Sequence, residues 1–326
     1  MNSFEWADAS SVPEAISLLS KGAAFKAGGV DLLDLMKEHI SQPTRLVNIR
    51  NLRELDYIRV EDGSLKIGPL VTLAKIAEHD AVRGNFTALS DAAAHAATPQ
   101  IRNMATIGGN ILQRPRCWYF RSEDFNCRKK GGDICYAQEG ESQYHAIFNN
   151  HQCAIVHPSA MACVLVAMAG KLELTGSKAK RQITVEEFLT PPSVDIRREN
   201  SLQPDELVTQ ITVPALPAGA TSAYIKQGEK ESFDWPIAEC AVVLQRDGDK
   251  CKRASIVLGA AAPVPHRAKE AESLLAGKSI SDETAQAAAK AALAGAAPLA
   301  QNGYKIPLFQ AIIARTILAA AAGGVK

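Results

Sequence analysis

The chain has 326 residues, a formal net charge of +1 from 36 basic and 35 acidic side chains, and seven cysteines. Near-neutral charge excludes a broad electrostatic nucleic-acid binder, and 47% hydrophobic with 22% charged residues excludes a disordered chain. The length suits two domains, each large enough for its own core.

The start, Met1 to Trp6, has neither a basic region nor an apolar run, so no secretory signal is expected. A short strand is expected at 4–7, then a helix at 14–19 capped by Ser11 with Pro13 in its first turn. A buried strand at 24–27 runs into Gly28-Gly29, and Leu32, Leu33, Leu35 and Met36 set a helical period over 31–39. Strands are expected at 45–48, 57–60 and 65–68, with Glu61-Asp62-Gly63-Ser64 as a turn, and helices at 73–79 and 88–96. This alternation predicts an α/β half. Residues 114–152 carry no sustained apolar period but are rich in cysteine and aromatics, as a functional long loop would be. A helix at 161–169 and strands at 171–175 and 207–213 follow, with a turn into residues 183–188 and linker-like stretches at 191–200 and 214–219. Strands at 222–227, 238–246 and 253–261, the last two joined by Asp247-Gly248-Asp249, precede helices at 268–275, 282–293 and 307–321, an α+β arrangement. No repeat of solenoid length occurs, and no apolar run is long enough to span a bilayer, so neither nucleic acid nor membrane insertion is expected.

Two glycine segments stand out. Lys26-Ala27-Gly28-Gly29-Val30-Asp31-Leu32-Leu33 joins a strand to a helix, where backbone N–H groups and the helix N-terminus suit a phosphate. Ala105-Thr106-Ile107-Gly108-Gly109-Asn110, after Gln100-Ile101-Arg102-Asn103, offers backbone donors with a hydroxyl and an amide. Each alone reads equally well as a tight turn, and neither has the G-x-G-x-x-G spacing of a Rossmann loop. Together they point to a dinucleotide held by backbone from two sides.

Cys117, Cys127, Cys135 and Cys153 fall in the polar middle segment, where free thiols have little core to join. Four thiolates suit a [4Fe–4S] cluster or a tetrahedral zinc, and the spacing does not choose between them. Cys163 sits on an apolar helix and reads as core, Cys240 lies in an expected strand and Cys251 at the hairpin edge. All three read as structural thiols, while His145, His151 and His157 read as polar loop residues rather than ligands. Asp31 and Asp34 are explained by the start of a helix, where carboxylates are favoured. No G-x-S-x-G elbow, H-E-x-x-H helix or Ser/His/Asp set is present, so no catalytic acid or base is assigned.

The K-A-G-G-V-D-L-L segment, the Q-I-R-N segment and the A-T-I-G-G-N segment together resemble the flavin-binding subunits of molybdenum hydroxylases, the family of xanthine dehydrogenase and carbon monoxide dehydrogenase medium subunits. The cysteine segment, with Leu112-Gln113-Arg114, Cys117-Trp118-Tyr119-Phe120 and His157-Pro158-Ser159, is similar to the [4Fe–4S]-bearing flavoproteins of the aldehyde oxidoreductase type. The resemblance implies an α/β plus α+β fold: a two-part FAD-binding domain of the vanillyl-alcohol-oxidase type over 1–219, divided near residue 56 and carrying a cluster insertion at 114–153, then a carbon monoxide dehydrogenase flavoprotein-like domain over 220–326. It implies FAD on Lys26, Ala27, Gly28, Gly29, Val30, Asp31, Leu32, Leu33, Thr106, Gly109 and Asn110, a basic Lys226 near the flavin end, and a [4Fe–4S] cluster on the four cysteines. Val30 and Ala160 stand where relatives commonly have Thr and Asp, and Glu229-Lys230-Glu231 where they are more basic. The implied function is electron transfer from the [2Fe–2S] clusters of a small partner subunit, reduced by a molybdopterin-containing large subunit, to FAD and on to an acceptor. The alternative is a self-contained FAD oxidoreductase with a structural zinc. The expected location is cytoplasmic from this chain alone, or periplasmic on a partner's export signal.

Overall fold

The computed structural model describes residues 1–230 and 233–324, so Glu231 of the acidic stretch lies outside the described residues. The first unit contains β1 (Glu5–Asp8), α1 (Val12–Ser17), β2 (Ala23–Lys26), α2 (Val30–Lys37) and β3 (Arg45–Asn48). Its sheet, in the order β1-β3-β2, is parallel throughout. Ser11 caps α1 as its sequence predicts, its hydroxyl accepting from the Glu14 N–H.

The next unit departs from the expected α/β alternation. It contains β4 (Ile58–Glu61), β5 (Ser64–Ile67), α3 (Leu73–Glu78), α4 (Asp80–Asn85), α5 (Thr87–Ala94), α6 (Pro99–Arg102), α7 (Ile107–Ile111), α8 (Trp118–Arg121), α9 (Ala160–Ala167), β6 (Lys171–Thr175), β7 (Lys180–Thr184), α10 (Val185–Phe188) and β8 (Leu207–Val213). Its five strands, in the order β4-β5-β8-β6-β7, pair antiparallel at every junction. The cause is local at one end. Asp62 and Gly63 both take positive φ, the two-residue turn that folds β4 back on β5. The helices cluster between β5 and β6 in sequence instead of alternating with strands. All eight residues of α9 are buried, and its core is shared with Ala241 and Val257 of the following sheet. That is why its sequence is apolar all round.

The last unit has β9 (Ala220–Gln227), β10 (Ala238–Asp247), β11 (Lys250–Gly259), β12 (His266–Arg267), α11 (Lys269–Leu275), α12 (Asp282–Ala291) and α13 (Lys305–Ala321), with an antiparallel sheet in the order β12-β11-β10-β9. The Gly248-Asp249 hairpin forms as expected. Its alanine-rich helices pack on one face, where small side chains let Ala285, Ala288, Ala289 and Ile313 share a core with Val242 and Ile256. No helix among the described residues is long and apolar enough to cross a membrane.

Candidate functional site

A cavity of about 600 Å³ lies where the three units meet. The volume suits a small-molecule or cofactor site. The first unit contributes Ala27, Gly28, Gly29, Val30, Asp31 and Leu32, all on its wall. Gly29 caps α2 in the left-handed region, at φ 79°. The turn therefore points the first N–H groups of α2, which have no intrahelical partner, along the cavity edge. Gly28 is required by a close approach: a Cβ there would lie 2.0 Å from the Met104 carbonyl oxygen. The two glycine segments thus meet backbone against backbone. Lys26 and Leu33, which the resemblance places on the cofactor, do not line the cavity. The Lys26 ammonium stands 5.4 Å from the Trp6 ring centroid.

Thr106, Gly109 and Asn110 also line the cavity, but their backbone behaves differently from expectation. The segment is the first turn of α7, and its donors are already engaged. Ile107 N–H donates to the Val71 carbonyl at 2.9 Å, Gly108 N–H to that of Pro69 at 2.9 Å, Gly109 N–H to Thr106 Oγ1 at 3.2 Å and Asn110 N–H to the Thr106 carbonyl at 2.8 Å. What this side can offer a ligand is the Thr106 hydroxyl and the Asn110 amide, whose Oδ1 accepts from Ser159 Oγ at 2.7 Å.

The opposite wall comes from the last sheet. Lys226 lines the cavity as expected and donates from Nζ to the His95 carbonyl at 3.0 Å. Its register partner is Glu239, a wholly buried residue on the same wall. The Tyr224 hydroxyl donates to Glu239 Oε2, while Oε1 has no hydrogen-bond partner. Burial pushes the Glu239 carboxyl up to about 7, against the pull of Tyr224, Lys226 and Lys305. A single acidic residue inside the apolar run of β10 was the available sequence signal for this group, which sequence reasoning passed over.

Because the folded-state value lies above the usual carboxylate range, folding favours the protonated form. The stability this group contributes is complete below its unfolded value near 4.5 and is lost as pH rises through about 7. Denaturant titrations are expected to show Glu239→Gln flattening that decline, by on the order of 3 kcal/mol. An unaltered pH profile in the variant would show that the carboxyl is ionised in the fold.

The cysteine segment lies beside the cavity. Cys117, Cys127, Cys135 and Cys153, far apart in sequence, line one small separate cavity with Phe120, Lys129 and His145. The convergence is built by turns. Gly131, at φ 107°, follows a short 3-10 turn, and the Gly132 N–H returns to the Cys127 carbonyl at 3.0 Å. Farther along, Ala146 N–H donates to the Ala154 carbonyl at 2.9 Å and brings Cys153 back. Burial pushes the Cys117 thiol up to about 12. Cys135 and Cys153 share a hydrogen bond, which favours the Cys135 thiolate and raises Cys153. Among the described residues, no three His, Cys, Asp or Glu side chains are gathered closely enough to hold one metal ion.

Cys163 is buried in a hydrophobic core, as its sequence context predicts, and Cys240 and Cys251 are buried in the core of the last unit as well. His151 is exposed, but His145 and His157 are buried and do not fit the expectation of polar loop residues. Burial lowers both to about 4 and keeps them neutral.

The two cavities are joined by a charged clamp. Asp31 accepts the Arg114 backbone N–H at 2.8 Å and pairs with Arg116 at 2.8 Å and Arg121 at 2.7 Å. Asp34 pairs with the same two arginines at 3.3 and 3.1 Å. The helix-start explanation of these carboxylates is therefore incomplete: α2 is fastened to the cysteine segment. Arg114 and Arg116 themselves line the larger cavity, and Arg116 lies 4.4 Å from the centroid of the Trp235 ring.

Comparison with known proteins fits this geometry. Residues 2–216 match the family model described as the FAD binding domain in molybdopterin dehydrogenase, and residues 223–320 match the CO dehydrogenase flavoprotein C-terminal domain. The chain is 36% identical over 305 residues to the aldehyde oxidoreductase FAD-binding subunit PaoB of Escherichia coli, covering 92% of each chain. It is 29% identical over 294 residues to the carbon monoxide dehydrogenase medium chain of Hydrogenophaga pseudoflava, covering 89% of this chain and 86% of that one. A solved structure of carbon monoxide dehydrogenase from Hydrogenophaga pseudoflava superposes with a TM-score of 0.77 at 29% identity, covering 98% of both chains.

Proposed function

The chain belongs to the FAD-binding medium subunits of molybdenum hydroxylases, which are oxidoreductase complexes, and on that premise we propose that it is the electron-transfer flavoprotein of such a complex, carrying a [4Fe–4S] cluster as well as FAD. The observation that carries the flavin assignment is the cavity with both glycine segments on its wall. Ala27 to Leu32 would hold the pyrophosphate through the open first turn of α2, with Thr106 and Asn110 adding side-chain donors. Gly109 keeps that wall narrow, and Lys226 supplies positive charge on the opposite side. Bound FAD supplies reversible redox chemistry, by which a subunit of this kind takes electrons from a partner's [2Fe–2S] clusters and passes them to an acceptor. The protein's part is to bind, orient and shield: apolar Leu70, Leu73 and Tyr224 close the cavity wall, and the buried Glu239 carboxyl on that wall holds its proton more strongly than an ordinary carboxylate.

The partners of this reading are a molybdopterin-containing large subunit and a small [2Fe–2S] subunit. Cys117, Cys127, Cys135 and Cys153 would hold the [4Fe–4S] cluster. Their buried, electron-rich donor set fits iron–sulfur ligation. Zinc demands four sulfurs within about 2.3 Å of one point. The four thiols line one shared cavity, and metal analysis distinguishes a cluster from a zinc there.

Anaerobic purification of the full chain with absorbance and metal analysis tests this. Flavin bands, broad iron–sulfur absorption and about four irons per chain are expected. Serine at any of the four cysteines should remove the iron and leave the flavin. Zinc in place of iron would support the self-contained oxidoreductase, and absence of flavin would overturn the flavoprotein assignment.

A further inference from the structure

We propose that His145 is an outer-sphere hydrogen-bond donor to Cys117, held in place by the start of α13 and the loop before it, and that it sets the reduction potential of the cluster. The inference rests on the [4Fe–4S] reading above and adds a residue to it. His145 Nε2 lies 3.2 Å from Cys117 Sγ. The ring is buried, stands edge-on to Trp118 at 5.4 Å between centroids and lies beside Tyr119 at 6.2 Å. Its other nitrogen, Nδ1, has no hydrogen-bond partner. A neutral imidazole has one N–H to give. The Ser142 backbone is also near the ring, but Nδ1 makes no aligned hydrogen bond, and a metal-bound thiolate at Nε2 is the stronger acceptor and favours the proton there.

The anchoring of His145 argues that the position is built. Its carbonyl accepts Lys305 Nζ at 3.1 Å and Asn302 Nδ2 at 3.0 Å, and both side chains are wholly buried. Lys305 also donates to the Ala260 carbonyl at 2.6 Å, and Asn302 to that of Ala146 at 3.2 Å. Burying a lysine and an asparagine is costly without such partners. Here both converge on the backbone that aims one imidazole at one sulfur. Donation to a cluster sulfur withdraws negative charge and stabilises the reduced cluster, so it raises the potential. Cys117 is also the cysteine next in the chain to Arg116, which lines the larger cavity.

The test is an EPR-monitored redox titration of the anaerobically purified full chain. His145→Phe keeps a flat ring but removes the donor. It is expected to retain full iron and flavin while the cluster potential falls, with His145→Gln, which still carries an N–H, recovering part of the shift. The flavin potential should stay where it is. An unchanged cluster potential with full iron overturns the proposal, and so does loss of iron from His145→Phe, which would make the histidine a ligand or an assembly residue. Should His145→Phe fail to fold, Asn302→Ala loosens the same anchor. A lowered potential there supports the proposal, and an unchanged one overturns it. Wild-type protein without iron would instead defeat the cluster reading itself, a result that metal analysis separates from the others.

Discussion

Gly28→Ala is expected to reduce flavin retention by on the order of tenfold, and Gly28→Val to abolish it, with the fold otherwise intact. The added Cβ would meet the Met104 carbonyl oxygen at 2.0 Å and its carbon at 3.0 Å. Both are backbone atoms, so no flexible side chain can swing aside. The opposing strand of contacts is also pinned. Arg50 Nη1 donates to the Met104 carbonyl at 3.3 Å, Ala105 N–H to that of Ile101 at 2.7 Å, and Leu73 N–H to that of Ala105 at 3.0 Å. Relief therefore comes by separating the two segments that wall the cavity, at an overpacking cost of about 1–3 kcal/mol. Flavin content per chain after gel filtration reads the effect. Gly84→Ala is the control, because a Cβ there meets nothing within 4 Å. Equal flavin content in the Gly28 and Gly84 variants would mean that the cofactor does not bridge these segments.

The contrast between the two glycine segments shows what a local reading captures. Gly28-Gly29 was legible because its constraint is local: a strand ends, φ turns positive and a helix begins within four residues. Of the Thr106–Asn110 donors, Gly109 and Asn110 are taken up locally by Thr106, but the Ile107 and Gly108 partners, Val71 and Pro69, come from a part of the chain more than thirty residues earlier. Nothing at positions 105–110 reports that the Val71 and Pro69 carbonyls will be present. The same distance hid the burial of His145, which depends on Asn302 and Lys305 in the last unit. The antiparallel second sheet was missed for a related reason. Strand type is visible in hydrophobic patterning, but partner choice is not: β8, far along the chain from β5, returns to lie between β5 and β6. The cysteines were legible as a set because a polar segment gives thiols no apolar reason to be there. Glu239 shows the converse: a charged residue in an apolar strand is a signal that can be read, and it marks the inner wall of the cavity.

The second large effect is expected at Asp31. Asp31→Ala should destabilise the protein by about 3 kcal/mol, loosen the 114–153 segment and weaken flavin retention together. Its side chain is only 14% exposed, and Arg121 beside it 11%, so solvent screens the pair little. Removing the carboxylate leaves Arg116 and Arg121 with only the half-exposed Asp34 as shared acceptor, and leaves the Arg114 N–H unmet. Leaving two largely buried cations under-compensated costs more than the pair was worth. Asp34 cannot take over. It is 49% exposed and reaches the same guanidiniums at 3.1 to 3.3 Å, as a surface partner contributing about 0–1 kcal/mol. Asp34→Ala is therefore the matched control, identical in charge and helix. Denaturant melts, flavin content and limited proteolysis within 114–153 should separate the two variants sharply. If Asp31→Ala and Asp34→Ala behave alike, the clamp is only a solvated face. If they differ as expected, the carboxylate that begins the flavin-side helix also supports the cysteine segment, and the two sites share one structural strut.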